Sequence, residues 1–201
     1  MIFKDIPGNQ AIKQQLIQSV NNNRIAHAQI FYGNQGNAKL ALAISYARYL
    51  NCLEKIEDDS CQKCSSCLKY NTLSHPDLHF IFPTIKKGAN TKPISDYFIN
   101  KWRDFLIDNI YESLNGWIKA IGGEIKTKER GTIYTEEVFS LYKKVALKNF
   151  EAKFKIFLFW MPENMALQTS NRLLKLLEEP PSRTIFLLVS ENPDQLLSTI
   201  T

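Results

Sequence analysis

All four cysteines of the chain fall between positions 52 and 67, as Cys52-x8-Cys61-x2-Cys64-x2-Cys67. Thiolates two residues apart in a tight turn can share one metal ion, and tetrahedral zinc takes four soft ligands at about 2.3 Å. Two readings compete with a zinc centre. Four buried free thiols would pack as small hydrophobes, and a Cys-x-x-Cys redox pair would use only two of the four. The spacing favours zinc held by Cys52, Cys61, Cys64 and Cys67. Four protein ligands leave no position for water, so the expected role is structural, in a module spanning 52–70.

A second candidate lies just upstream. Gln29-Ile30-Phe31-Tyr32 reads as a short buried strand, Gly33 to Ala38 as a small-residue loop, and Lys39 as the start of a helix rich in Ala and Leu. A strand, a glycine loop and a helix N-terminus together form a cradle for phosphate, because unpaired N–H groups and the helix dipole both favour an anion there. Against the phosphate-loop pattern G-x-x-x-x-G-K-[ST], Gly33 and Lys39 stand in register. Ala38 replaces the second glycine of the pattern, and Leu40 replaces the hydroxyl that would hold magnesium. Gly33, Gly36 and Lys39 are therefore expected to form at most a vestigial nucleotide or anion cradle. The alternative is that Lys39 is an exposed helical lysine and the loop is closed by packing.

The elements that must position these residues follow from the apolar pattern. A chain of 201 residues with 44% hydrophobic content can bury a real core. No apolar run reaches membrane-span length, and the opening MIFKDIPGNQ lacks the apolar core of a signal peptide, so a cytoplasmic protein without a membrane partner is expected. The net charge of +5 is too mild to argue nucleic-acid binding alone. Asn9 is placed to cap a helix running to about Asn22, with Ile12, Leu16 and Val20 inward. His27 reads as a packed or capping residue at the strand entrance. Leu78, Phe80 and Phe82 alternate with His79 and Ile81 as a second strand. Residues 84–131 carry nine Lys and Arg against six Asp and Glu. With Ser95 as cap and Phe98, Trp102, Phe105, Leu106 and Ile110 at helical spacing, they read as a helical insertion between polar loops. Its aromatic stripe is either core or a base-stacking platform. Thr135 is placed to cap a helix carrying Val138, Leu141, Tyr142 and Val145. KFKIFLFWM and TIFLLVS are continuous apolar runs of the kind covered on both faces of a parallel sheet. Between them, LQTSNRLLKLLEE is a helix presenting Ser170, Leu173, Leu174 and Leu177, and Pro193 opens a last short helix. Alternating strands and helices predict an α/β fold with a parallel sheet and helices on both faces. Ligands of such folds sit at the carboxyl ends of the strands.

FKDIPGNQ before a helix, RIAHAQIFYG before a phosphate-loop position, a four-Cys module after the next helix, and NRLLKLLEEPPSRTIFLLVSENPDQLLSTI together resemble one family. It is the AAA+ nucleotide-binding domain of bacterial DNA polymerase III clamp loaders, in the branch of the delta-prime and gamma/tau subunits. The resemblance covers residues 1–83 and 133–201. It is most specific around Leu173-Leu174-Lys175 and Leu177 to Pro181, and 84–131 departs from the family pattern. It implies an AAA+ P-loop-type domain over 1–201, interrupted by the zinc module and the helical insertion. A hydrolysing member ends its central strand with Asp-Glu, where this sequence has Trp160 and Met161, so no productive Mg-ATP is expected. Glu163, just beyond, is expected to cap the following helix. The resemblance thus favours the non-hydrolysing delta-prime scaffold within a DNA-directed DNA polymerase (nucleotidyltransferase) holoenzyme. It implies gamma/tau and delta as partners, and the sliding clamp and primed DNA through the assembled loader. It further implies that a closing strand, a helical lid, an oligomerisation collar and the trans-acting arginine lie beyond Thr201. An ATP-hydrolysing gamma/tau-type subunit and a zinc-containing DNA-binding module are the alternatives.

Overall fold

Two apolar runs, Lys155–Trp160 (β3) and Thr184–Ser190 (β4), are buried at every residue and pair in parallel at the middle of the sheet. Leu78–Ile81 (β2) pairs with β3, and Ala28–Tyr32 (β1) pairs with β4, giving a four-stranded parallel sheet in the order β1-β4-β3-β2. The computed structural model describes residues 1–86, 92–111, 113–123 and 131–200. The polar loops expected at either end of the 84–131 stretch lie largely outside them.

Because side chains alternate along a strand, each central strand feeds two cores. Ile156, Leu158 and Trp160 of β3 join Ile185, Leu187 and Val189 of β4 on one face. Phe157 and Phe159 join Phe186 and Leu188 on the other. The first face is covered by Gln10–Asn21 (α1), Lys39–Asn51 (α2), and the helices Ser95–Asp108 (α4) and Leu114–Ala120 (α5). The second is covered by Thr135–Ala146 (α6), Leu167–Glu178 (α7) and Pro193–Ile200 (α8). This is the α/β architecture, a parallel sheet with helices on both faces, that the sequence predicts. The short helix Ser65–Asn71 (α3) follows the cysteine cluster.

All thirteen residues of α2 are buried. A helix without a solvent face needs few polar side chains, and its Ala41, Ala43 and Ala47 let neighbours approach closely. The aromatic stripe of α4 and α5 is core. Trp102 stacks on Phe82 at 4.3 Å and meets Trp117 and Trp160 at 4.9 Å each. Trp117 donates its indole N–H to the Pro83 carbonyl at 2.7 Å.

Several local expectations shift. β1 is an edge strand, so Ile30 and Tyr32 are exposed rather than buried. Asn9 stands before α1 but in the left-handed region at φ 56°, and its side chain makes no cap. The buried face of α1 is Lys13, Leu16 and Ile17, with Ile12 outside. Lys13 reaches the interior because its ammonium donates to the Ile6 carbonyl. Ser95 and Thr135 are the first residues of their helices rather than the caps. The Ser95 hydroxyl instead receives the Phe82 N–H at 3.0 Å, and the Ser95 N–H is capped by Glu137 Oε2 at 2.5 Å. Glu137 is 3% exposed, and burial pushes its carboxyl up to about 7. On α7 the buried face runs through Thr169, Ser170, Leu173 and Leu176. Leu174 and Leu177 sit on its flank.

Candidate functional site

The two candidate sites lie at opposite ends of α2. At its C-terminal end the helix runs directly into Cys52, its C-cap, and Cys64 caps α3 by accepting the Cys67 N–H. The four sulfur atoms lie within 4.8 Å of one another, and Cys61 and Cys67 are 3.9 Å apart. Tetrahedral zinc with about 2.3 Å bonds needs sulfurs roughly 3.8 Å apart. Backbone amides already face the thiols: Cys61 N–H donates to Cys52 Sγ at 3.3 Å, Cys64 N–H to Cys61 Sγ at 3.3 Å, and Cys67 N–H to Cys64 Sγ at 3.5 Å. Such donors offset the charge of thiolates. Burial pushes the Cys52 thiol up to about 12 and raises Cys67. Burial acts in the same sense on Cys61, but the N–H groups of Cys64 and Lys63 outweigh it and hold that thiol at about 6. A divalent cation is the group that would let four such sulfurs ionise together.

Cations stand around this cluster. Arg48, on α2, is 1% exposed. Its Nη1 donates to the Met1 carbonyl at 3.0 Å, while Nε and Nη2 have no hydrogen-bond partner among the described residues. The guanidinium draws the Cys67 thiol toward its ionised form. Lys55 donates its ammonium to the Cys52 carbonyl at 3.0 Å. Asp77, just before β2, holds the turn that leads into β3, receiving the N–H groups of Phe150 at 2.7 Å, Glu151 at 2.9 Å and Ala152 at 2.8 Å. Burial alone would raise the Asp77 carboxyl, but these three donors bring it below the usual range. Lys69 of α3 then pairs with Glu151.

At the other end of α2, the loop 33–38 connects β1 to Lys39 as the sequence predicts. Gly36 has φ +76°, a left-handed conformation that favours glycine, whereas a Cβ on Gly33 would meet only the movable end of the Asn37 side chain, at 2.8 Å. Ala38 sits at φ −69°, an ordinary conformation. Lys39 is 5% exposed. Its ammonium donates to the Asn34 carbonyl at 2.9 Å and to Glu191 Oε1 at 3.1 Å. The charge that a phosphate would meet is satisfied by the chain itself. Glu191 is held in place in turn, its N–H donating to Glu163 Oε1 at 2.8 Å. Glu163 therefore fixes the turn between β4 and α8, and does not cap α7, whose N-cap is Ala166. Its second oxygen, Oε2, is buried without a partner among the described residues. Trp160 and Met161, at the carboxyl end of β3, are both buried.

The structure thus gathers the four cysteines and keeps Gly33, Gly36 and Lys39 on one loop. Sequence reasoning missed Glu191, Arg48 and Asp77, and gave Glu163 a different role. Glu191 had a signal, since it directly follows a buried parallel strand at the end where ligands collect. His27 is exposed; its Nε2 lies 3.0 Å from the Leu177 carbonyl, and its own carbonyl accepts the Phe186 N–H at 2.7 Å. Among the described residues no helix is long and apolar enough to cross a membrane.

Comparison with known proteins places this geometry. The DNA polymerase III subunit delta' of Bacillus subtilis is 25% identical over 189 residues, 94% of this chain and 44% of that protein. The subunit delta' of Pseudomonas aeruginosa is 28% identical, over 96% of this chain and 45% of its own length. The subunit tau/gamma of Haemophilus influenzae is 26% identical, over 98% of this chain and 22% of its own. The chain spans less than half the length of these relatives. A solved gamma subunit-related protein of Thermotoga maritima aligns with 95% of this chain and 42% of its own, at a TM-score of 0.42 and 13% identity. A family model described as DNA polymerase III, delta subunit, matches residues 8–201, nearly the whole sequence, and on that match the chain belongs to the DNA polymerase III delta-subunit family of clamp-loader proteins.

Proposed function

We propose that this chain is the nucleotide-binding-type domain of a delta-prime-like scaffold in the clamp loader of DNA polymerase III, and that it does not hydrolyse ATP. The observation that carries this reading is the Lys39–Glu191 pair: the lysine that would meet a nucleotide's phosphates is buried against a carboxylate of its own chain. Phosphoryl transfer also needs metal ligands and a group that orients water. Leu40, Trp160 and Met161 stand at those positions and offer neither. Its partners on this reading are a gamma/tau ATPase and delta, with the sliding clamp and primed DNA met through the assembled loader. The four thiolates hold one zinc ion with a structural role. Their convergence within 4.8 Å supports this.

Similarity to tau/gamma subunits keeps the hydrolysing reading in play as the rival. Phosphate release with magnesium and ATP should equal the protein-free control. Turnover by the chain alone that is lost in Lys39→Ala would move it to the motor class.

A further inference from the structure

A divalent ion held by four thiolates carries two net negative charges. Burying that charge is costly unless cations and hydrogen-bond donors face it. Cys52, Cys61 and Cys67 are all buried, so water cannot supply the compensation. Two cations lie against this cluster. Arg48, four residues before Cys52 on α2, is a fully buried guanidinium whose Nη1 donates to the Met1 carbonyl, whose Nε and Nη2 lack a partner at ordinary hydrogen-bond geometry among the described residues, and which lies close enough to Cys67 to favour its thiolate. An arginine left this way in a core is destabilising on its own, because each orphaned donor loses its hydration. Lys55 is anchored on the carbonyl of Cys52, a cluster residue, and its ammonium lies within electrostatic reach of Cys52, Cys64 and Cys67.

We infer that Arg48 and Lys55 form the counter-charge of the tetrathiolate metal centre, and that Arg48 is the donor to its thiolates, so that these two cations balance the two net negative charges of a divalent ion held by four thiolates. This rests on the zinc reading above. Arg48 is a positioning residue rather than a ligand. Its planar fork offers donors in fixed directions, which a lysine ammonium cannot reproduce. Groups outside the ligand set commonly change metal affinity about 10–100-fold when removed. The same charge balance predicts a preference for divalent over monovalent ions.

The test uses the full chain. Elemental analysis of the wild type should give about one zinc per chain; a zinc-free, folded wild type would end the zinc reading itself. Competition with a chromophoric chelator should then show Arg48→Gln losing zinc about 10–100-fold more readily, with Lys55→Gln weaker in the same direction. Zinc retention equal to wild type in both variants overturns the inference while leaving the zinc reading standing. Should Arg48→Gln fail to fold, Arg48→Lys preserves the charge and carries the test by spectroscopy. Loaded with Co2+, it should keep the metal but shift the sulfur-to-cobalt charge-transfer band, because the thiolates lose a guanidinium donor. An unchanged band removes Arg48 from the centre.

Discussion

The two ends of α2 hold sites of opposite kind. At the C-terminal end, four sulfurs converge beside a buried arginine whose Nε and Nη2 have no hydrogen-bond partner among the described residues. At the N-terminal end, the lysine of a phosphate-loop motif is fully engaged by Asn34 and Glu191. Both ends retain the residue types of a binding site. What separates them is the state of their charged groups. Lys39 already meets a carboxylate of its own chain, so the loop end reads as self-closed, whereas the other end converges four thiols that a cation would complete.

The largest effect expected from breaking this contrast is at the cysteines. Cys67 is fully buried, and Cys67→Ser removes one ligand and opens the centre. The zinc content of the purified protein should fall to near zero and its Tm by roughly 10 °C, equivalent to several kcal/mol for a domain of this size. The circular dichroism of the parallel sheet should persist, since β3 and β4 take no part in the module. A Tm unchanged within a degree or two would mean that the module is not supported by metal.

A smaller effect should come from opening the closed end. Glu191→Gln keeps the shape but removes the counter-charge from Lys39. Inorganic tripolyphosphate, with no detectable binding to the wild type by calorimetry, should then bind at low ionic strength. Losing the pair, with Glu191 partly exposed, should lower stability by about 1–2 kcal/mol. Wild-type protein that binds tripolyphosphate as well as the variant does would show that Glu191 closes nothing.

The smallest effect is a pH response belonging to neither end. Glu137 has its folded value raised by burial to about 7, from an ordinary 4.5. The folded state therefore holds this proton more tightly, and the stability it contributes is lost as pH rises from about 4.5 through 7. His79 is lowered to about 4 by burial and by Lys144 and Lys155, from 6.5. It acts in the opposite sense, with stability lost as pH falls from about 6.5 through 4. The two should largely cancel around pH 5–6. Glu137→Gln still accepts the Ser95 N–H but leaves the His79 contribution uncompensated, so urea denaturation should show a variant that gains up to about 2 kcal/mol from pH 5 to 7.5 where the wild type is nearly flat. Zinc content should be unaffected. A variant with the wild-type slope would assign the dependence elsewhere.

Much of this architecture was legible because it rests on pattern. The unbroken runs of β3 and β4, the helix opening at Lys39 and the cysteine spacing are set by local composition, and each appears where the sequence puts it. The misplaced details depend on partners distant in the chain. Ser95 looked like a cap, yet the cap comes from Glu137, forty-two residues away. Ile12 looked inward, yet a lysine takes the interior position because the Ile6 carbonyl receives its ammonium. Lys39 could be read as cradle or surface, because nothing local says that Glu191 will meet it across 152 residues. The exposure of β1 likewise depends on which strands flank it, which no single segment encodes.

The complete burial of α2 has a consequence for how the molecule can loosen. Amide hydrogens exchange locally where a segment can open toward solvent without disturbing the rest. A helix enclosed along all thirteen residues by the sheet, α1 and α3 has no side from which to open. Its amides should exchange only when the domain unfolds as a whole. The sulfur cluster at one end and the lysine at the other are then fastened to the same cooperative unit. A disturbance at either is felt as a change in global stability, and α2 serves as a fixed strut rather than a hinge between them.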